Sequence, residues 1–101
     1  DDQTRINAIA KYNNNLIAVG DKSTIVTTPI DQQNDWHKQI TNVPVNTTLR
    51  TVMVDTNNKI YIAGQYGYVA SSTDMHTWTA HHLNTNSTIL QIVQLKKIDP
   101  Q

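Results

Sequence analysis

Side chains that could perform chemistry are few in this sequence and lie far apart along it. The chain has eight aspartates, no glutamate, no cysteine and only two arginines, Arg5 and Arg50. Hydrolysis by paired carboxylates needs two acids that face one substrate, whereas most of these aspartates fall in predicted turns. The lack of cysteine excludes disulfides and thiolate metal sites. We therefore predict no catalytic residue, no cofactor and no enzyme activity in this chain.

The four histidines do not predict a metal site. His81 and His82 are adjacent, so on a strand their side chains would point to opposite faces and could not both bind one ion. His37 follows Trp36 in a predicted outer strand, where we expect it to be exposed. We predict surface histidines and no metal ligands.

The charge balance and the hydropathy pattern exclude two further classes of function. Eight basic and eight acidic side chains cancel, and no basic stripe develops that could neutralise the phosphates of a nucleic acid. No apolar run approaches the roughly 18 residues that a membrane-spanning helix needs. The composition, rich in Asn, Thr and Gln, favours a secreted or periplasmic location.

The strongest signal in the sequence is an internal repeat. Residues 14–28 read NNLIAVGDKSTIVTT and residues 58–72 read NKIYIAGQYGYVASS, so apolar positions, glycine and turn coincide at an offset of 44. The match extends to Trp36 and Trp78. A period of about 40 residues written in short strands is typical of propeller blades. The short connections favour antiparallel sheets, and the consecutive apolar residues of the middle strands favour burial on both faces.

We predict an all-β fold of two four-stranded antiparallel propeller blades plus the first strand of a third. The single segment, 1–101, divides into blade 1 at about 5–44, blade 2 at about 45–84, an extra strand at about 88–95 and a tail at 96–101. The predicted strands of the two blades are 6–12, 16–19, 24–28 and 36–40, then 49–54, 59–63, 68–72 and 77–82.

One turn motif is more specific than the rest of the repeat. Ser72, Asp74 and Trp78 fit the spacing Ser/Thr-x-Asp-x-x-x-Trp between the third and fourth strands of blade 2. A carboxylate there can accept hydrogen bonds from the backbone N–H groups of its own turn, and we expect the indole to pack into the neighbouring blade. In blade 1, Pro29 and two extra residues distort the turn. The degenerate copy consists of Thr28, Asp31 and Trp36.

In this motif, and in the segment IYIAGQYGYVASSTDMHTW, the chain resembles Asp-box propellers, also known as bacterial neuraminidase repeats, and particularly photosystem-assembly-factor-like blades. The resemblance covers roughly residues 5–95. It implies a bacterial protein in which the Asp box is a folding device. Some Asp-box propellers are sialidases, which need an arginine cluster, a glutamate and a tyrosine nucleophile. Here glutamate is absent, and Arg5 and Arg50 occupy corresponding repeat positions 45 residues apart rather than one cluster.

Propeller geometry also predicts a candidate binding face. The turns between second and third strands share a face with the connections between blades, where propellers commonly bind ligands. On this face we place Lys22, Tyr66, Tyr68, His82 and Asn84. An exposed tyrosine among polar neighbours can anchor a protein or a glycan. The alternative is that Tyr66 is exposed on its hairpin without binding a ligand, and that Tyr68 packs between blades.

Two blades are too few for a closed propeller, which needs about four to eight. Each open sheet face would leave on the order of 500 Å2 of apolar surface in water. We therefore predict a homo-oligomer, or a piece that joins the remaining blades of a larger propeller, acting as a non-enzymatic binding or assembly module. Two alternatives stay open. One is a fragment of a secreted glycan-binding or glycan-hydrolysing protein with its active residues elsewhere, and the other is a purely structural oligomer.

Overall fold

The computed structural model describes residues 5–32 and 35–81, which form two four-stranded antiparallel sheets. Blade 1 is ordered β1 (Ile6–Tyr12), β2 (Asn15–Gly20), β3 (Ile25–Pro29) and β4 (His37–Lys38). Blade 2 is ordered β5 (Leu49–Val54), β6 (Ile60–Gly64), β7 (Val69–Ser72) and β8 (Thr79–Ala80), with a 3-10 turn at Gln65–Gly67. The predicted all-β fold with two such blades is confirmed. The extra strand predicted at 88–95 and the tail lie outside the described residues.

The two sheets repeat each other in their pairing register. In each blade, a row of three paired residues runs across the first, second and third strands. These equivalent rows are Ile9–Ala18–Val26 in blade 1 and Val52–Ile62–Ala70 in blade 2. Each first strand also has a register irregularity near its start. Equivalent residues therefore lie 43 apart in the first strand and 44 apart in the next two.

The register of the first strands corrects the predicted equivalence of the two arginines. Ile6 and Leu49 each pair with the glycine that ends the second strand, so equivalent residues here are 43 apart and not 45. Arg50 therefore corresponds to Asn7, and Arg5 lies elsewhere in its blade. The prediction was wrong because the first three strands are offset by 43 or 44 residues, and none of them by 45.

The hairpin between the second and third strands is built in the same way in both blades. Lys22 and Ser23 have φ values of 55° and 58°, and Tyr66 and Gly67 have values of 55° and 73°. Both turns thus use the left-handed region of backbone space at two successive positions.

A glycine precedes each of these turns because a neighbouring strand passes too close for a side chain. A Cβ atom built on Gly20 would lie 1.9 Å from the carbonyl oxygen of Arg5, and one on Gly64 would lie 2.1 Å from that of Thr48. The same carbonyl oxygens accept hydrogen bonds from the residue after each glycine, at 3.0 Å in both blades. The repeated glycine is therefore required by packing between first and second strands.

The core lies where the two blades meet. Blade 1 contributes Ile17, Val19 and Ile25, which are fully buried, and the connection between the blades contributes Val43. Blade 2 contributes a larger apolar set that runs from β5 to the residue before β8. Its members are Leu49, Val52, Ile60, Ile62, Tyr68, Ala70 and Trp78. Removal of this apolar surface from water is what holds the blades together.

The outer strands are shorter than predicted. β4 and β8 each pair over two residues, rather than over 36–40 and over 77–81, the described part of the strand predicted at 77–82. All four of their residues are exposed, so little burial offsets the entropy that a longer ordered strand would lose.

Candidate functional site

The turn after β7 is held by two side chains of the predicted motif. One carboxylate oxygen of Asp74 accepts hydrogen bonds from the backbone N–H groups of His76 and Thr77, at 2.9 Å each. The Ser72 hydroxyl donates to the same oxygen at 2.9 Å, and accepts from the N–H groups of Asp74 and Met75 at 3.1 and 2.9 Å. The bonds from Thr77, His76 and Ser72 lower the pKa of Asp74 to about 2. This carboxylate is engaged in its own turn.

The degenerate copy in blade 1 is bonded differently. The Thr28 hydroxyl donates to the carbonyl oxygen of Gln32 at 2.7 Å, and the N–H of Gln32 donates to the Pro29 carbonyl at 3.0 Å. Asp31 is exposed. Because residues 33–34 lie outside the described part of the chain, a turn-forming role for Asp31 stays a prediction.

The two tryptophans occupy equivalent positions but different surroundings. Each lies directly before the fourth strand of its blade, and Trp78 is 4% exposed whereas Trp36 is 40% exposed. The Asn42 side chain accepts a hydrogen bond from the Trp78 N–H at 2.7 Å and donates one to the Trp78 carbonyl at 3.0 Å. The buried Nε1 of Trp78 has no hydrogen-bond partner among the described residues.

Trp36 belongs to an apolar surface on the outside of blade 1. We name this surface, formed by Ile6, Ile9, Ala18, Val26 and Trp36, the open face of blade 1. It encloses a depression of about 290 Å3. Ile6 and Ile9 are 41% and 56% exposed there. Large apolar side chains thus lie in water side by side.

The equivalent positions of blade 2 are covered. Ile9, Ala18, Val26 and Trp36 correspond, in that order, to four residues of the core. These are Val52, Ile62, Ala70 and Trp78, with exposures of 8%, 0%, 0% and 4%. The open face of blade 1 is therefore the unpartnered counterpart of the surface that blade 2 buries.

The connection between the blades, residues 39–48, is fastened to both hairpin turns. Ser23 donates its N–H to the Thr47 carbonyl at 2.7 Å, and its hydroxyl oxygen accepts from the Thr47 N–H at 3.1 Å. Gln65 donates its N–H to the Thr48 carbonyl at 3.0 Å, and its side-chain oxygen accepts from the Thr48 N–H at 3.1 Å. We name the surface formed by this connection and the turns 20–24 and 64–68 the connection face.

Of the five residues predicted for the binding face, two are exposed on the connection face. Lys22 and Tyr66 hold the same position in their turns, and Tyr66 is 61% exposed. Tyr68 is 5% exposed and packs in the core, where burial raises the pKa of its hydroxyl. Its ring is therefore no exposed anchor, because the chain has turned inward two residues after Tyr66. His82 and Asn84 lie outside the described residues.

A serine and a histidine share a hydrogen bond that the sequence did not predict. Ser71 Oγ and His81 Nε2 are 3.0 Å apart, a pairing that in some enzymes activates a serine nucleophile. The equivalent pair in blade 1 is Thr27 and Gln39, in which Gln39 Nε2 donates to Thr27 Oγ1 at 2.7 Å. Since glutamine cannot act as a base, the recurring feature is a bridge between the third strand and the chain beyond the fourth.

Neither a metal centre nor a membrane-spanning helix occurs in the described ranges. Within 5–32 and 35–81, no group of three or more His, Cys, Asp or Glu side chains could hold a metal ion. In the same ranges, no helix is long and apolar enough to cross a membrane.

A comparison with protein families accounts for the repeated sheets. Residues 2–97 match the DUF6242 beta propeller domain. The chain belongs to the DUF6242 β-propeller family. No curated protein and no solved structure shows a significant match. Membership of the DUF6242 family establishes the propeller that the repeat predicted, while the finer resemblance to Asp-box and photosystem-assembly-factor-like propellers stays a prediction.

Two kinds of contact in this DUF6242 domain were not predicted from the sequence, for different reasons. The bridges Thr27–Gln39 and Ser71–His81 recur at equivalent positions, so an alignment of the repeats that reached past the fourth strand could have found them. Asn42 gave no such signal, since it binds the backbone of a residue 36 positions away.

Proposed function

We propose that this DUF6242 domain is a non-enzymatic binding and assembly module, and that its two blades are part of a closed propeller. Further blades cover the open face of blade 1, supplied by other copies of the chain or by a longer polypeptide. On the sequence resemblance we further propose that the blades are of Asp-box type and that the protein is bacterial, secreted or periplasmic.

The open face of blade 1 is the observation that supports the assembly role. Its residues match, position by position, the residues that blade 2 buries against blade 1. Trp36, Ile6 and Ile9 remain 40%, 41% and 56% exposed, and contiguous exposed apolar surface marks interaction sites. The partner that fits such a surface is a face like that of Ile17, Val19 and Ile25, which means another propeller blade.

The non-enzymatic role is supported by how the reactive side chains are used. The Asp74 carboxylate accepts three hydrogen bonds within its own turn. The Ser71–His81 pair has a counterpart, Thr27–Gln39, that cannot perform nucleophilic catalysis. Each group therefore has a structural role that explains its position.

Light scattering on the purified chain tests the assembly role. We expect a mass of two or more chains of 11.4 kDa each, and a return to the single-chain mass when Ile9→Ser and Trp36→Ser are combined. The matched control is Ile40→Ser, which removes an exposed aliphatic side chain away from the open face and should leave the mass unchanged.

The same substitutions distinguish the two sources of the covering blade. If that blade belongs to a longer polypeptide, Ile9→Ser and Trp36→Ser lower the melting temperature of the full-length protein without a change of its mass. A monodisperse single chain that unfolds cooperatively and is indifferent to both substitutions would contradict the proposal.

A further inference from the structure

The connection between the blades carries two aliphatic side chains that stand almost entirely in water. Ile40 is 89% exposed and Val45 is 81% exposed. Both line one depression of about 320 Å3 on the connection face, which also includes the buried side chain of Val43. Single exposed aliphatic residues are ordinary, but a pair that shares one concave site is typical of a place where a partner binds.

Two lysines line the same depression. Lys22 lies at the tip of the turn between β2 and β3, and Lys38 lies at the end of β4. Among the described residues, no acidic side chain lines this depression. The nearest carboxylate in sequence, Asp21, accepts a hydrogen bond from the Asn7 side chain at 3.1 Å. The site therefore combines positive charge with apolar surface.

The backbone around the site is held in place before any partner arrives. Ser23, the neighbour of Lys22, bonds the connection at Thr47 through both its N–H and its hydroxyl, and the hydroxyl also donates to the Pro44 carbonyl. Because the hairpin and the connection are fastened together, a bound segment loses little affinity to ordering the protein.

From this arrangement we propose that the connection face binds an acidic peptide segment with aliphatic or aromatic side chains. Its carboxylates pair with Lys22 and Lys38, and its apolar side chains cover Ile40 and Val45. The chemistry is less suited to a glycan, because the exposed ring that could stack on a sugar, Tyr66, lines a separate depression across the connection. Two lysines also fall short of the basic stripe that a nucleic acid needs.

The inference deepens the proposed binding role and rests on it, but it uses different residues. None of the residues that line this depression belongs to the open face of blade 1. Assembly through the open face therefore uses none of these residues, and the two proposals can fail separately.

The experiment screens the purified chain against an array of synthetic peptides of mixed sequence, followed by anisotropy titration of the peptide that binds best. We expect the captured peptides to be rich in Asp and Glu together with Leu, Ile, Val or Phe. The double variants Ile40→Ser/Val45→Ser and Lys22→Gln/Lys38→Gln should each weaken the titrated peptide by roughly tenfold or more. Raising the salt from about 0.05 to about 0.5 M should weaken the wild type but hardly affect the lysine variant.

Three results would overturn the inference: capture of no peptide, capture of basic or uncharged polar peptides, or wild-type affinity in both double variants. Each variant is also measured by light scattering and thermal melting. Normal mass and melting with lost affinity support the binding site. A wild-type chain that stays a single copy, unfolds cooperatively and is indifferent to Ile9→Ser and Trp36→Ser contradicts the assembly proposal alone, since the peptide titration still reports on the connection face.

Discussion

The side-chain amide of Asn42 forms two hydrogen bonds with the backbone of Trp78, at 2.7 and 3.0 Å. Asn42 belongs to the connection between the blades, and Trp78 lies in the core just before β8. The pair therefore ties the chain that leaves blade 1 to the outer edge of blade 2. It holds the backbone of Trp78 in place beside the connection.

Asn42→Ala should lower the free energy of unfolding by about 1–2 kcal/mol, because it removes both hydrogen bonds from the Trp78 backbone. Urea denaturation followed by fluorescence measures the change. Asn57→Ala is the matched control, since that side chain is exposed in the turn after β5, and it should stay within about 0.5 kcal/mol of wild type. Equal effects of the two substitutions would contradict the role of Asn42.

Trp78→Ala should lower the free energy of unfolding by about 3–5 kcal/mol, because it leaves a cavity among the core residues of both blades. The measurement is thermal or urea unfolding. Trp78→Phe should cost less, since it keeps most of the apolar volume and removes an indole N–H that has no partner among the described residues. A melting curve unchanged by Trp78→Ala would mean that the indole does not join the blades.

The hydrogen bonds to Asp74 make the free energy of unfolding depend on pH in the acid range. The pKa of Asp74 is about 2 in the folded chain against an ordinary 3.8, so the carboxylate stabilises the fold above pH 3.8. That contribution is lost as the pH falls from 3.8 through about 2. Wild type and Asp74→Asn should therefore differ most in melting temperature above pH 3.8 and converge towards pH 2.

Asp55 provides a check on that comparison. Its pKa is also lowered, chiefly by the backbone N–H of Lys59, so it titrates in both proteins and cancels in their difference. An NMR titration that follows the carboxyl carbon of Asp74 measures its pKa directly. A midpoint near the ordinary value would show that its turn is not bonded as described.

Gly64→Ala should destabilise the chain by about 2–3 kcal/mol, because its Cβ would lie 2.1 Å from the Thr48 carbonyl oxygen and backbone on both sides must shift. Gly20→Ala is the matched substitution in blade 1 and should have a similar cost, since its Cβ would meet Arg5 at 1.9 Å. Urea midpoints measure both. Tolerance of alanine at either position would rule out the close approach of the first strand.

His81→Gln should leave stability at pH 7 within about 0.5 kcal/mol of wild type, because blade 1 already has glutamine at the equivalent position, bonded to Thr27. Ser71→Ala, which removes the other partner of the bridge, should cost about 1 kcal/mol. Urea denaturation of both variants provides the test. A large loss with His81→Gln would show that the imidazole has a role that the repeat does not explain.

The repeat predicted the fold well because its signals are local. Gly20 and Gly64 mark the same turn, and the apolar runs after Asn14 and Asn58 mark the same middle strand. Strand length at the outer edge was less predictable, since β4 and β8 consist of exposed residues. Nothing in the sequence of 36–40 or 77–82 states where the pairing stops.

Exposure was harder to predict than position. Trp36 and Trp78 look alike in the sequence, yet among the described residues Trp78 alone has a blade packed against it. Tyr66 and Tyr68 lie two residues apart, and the left-handed backbone at Tyr66 sends one ring outward and leaves the other in the core. Such differences depend on neighbours and on backbone direction, which a pattern of residue types does not contain.

Blade 1 leaves uncovered the same surface that blade 2 buries. This match has a consequence for how such proteins gain blades by duplication. Blade 1 carries both halves of one interface, so duplication of such a blade adds a unit that fits its parent without any new complementary surface. The number of blades is then set by the angle between successive sheets. Closure of the ring, rather than the chemistry of any single contact, decides when addition stops.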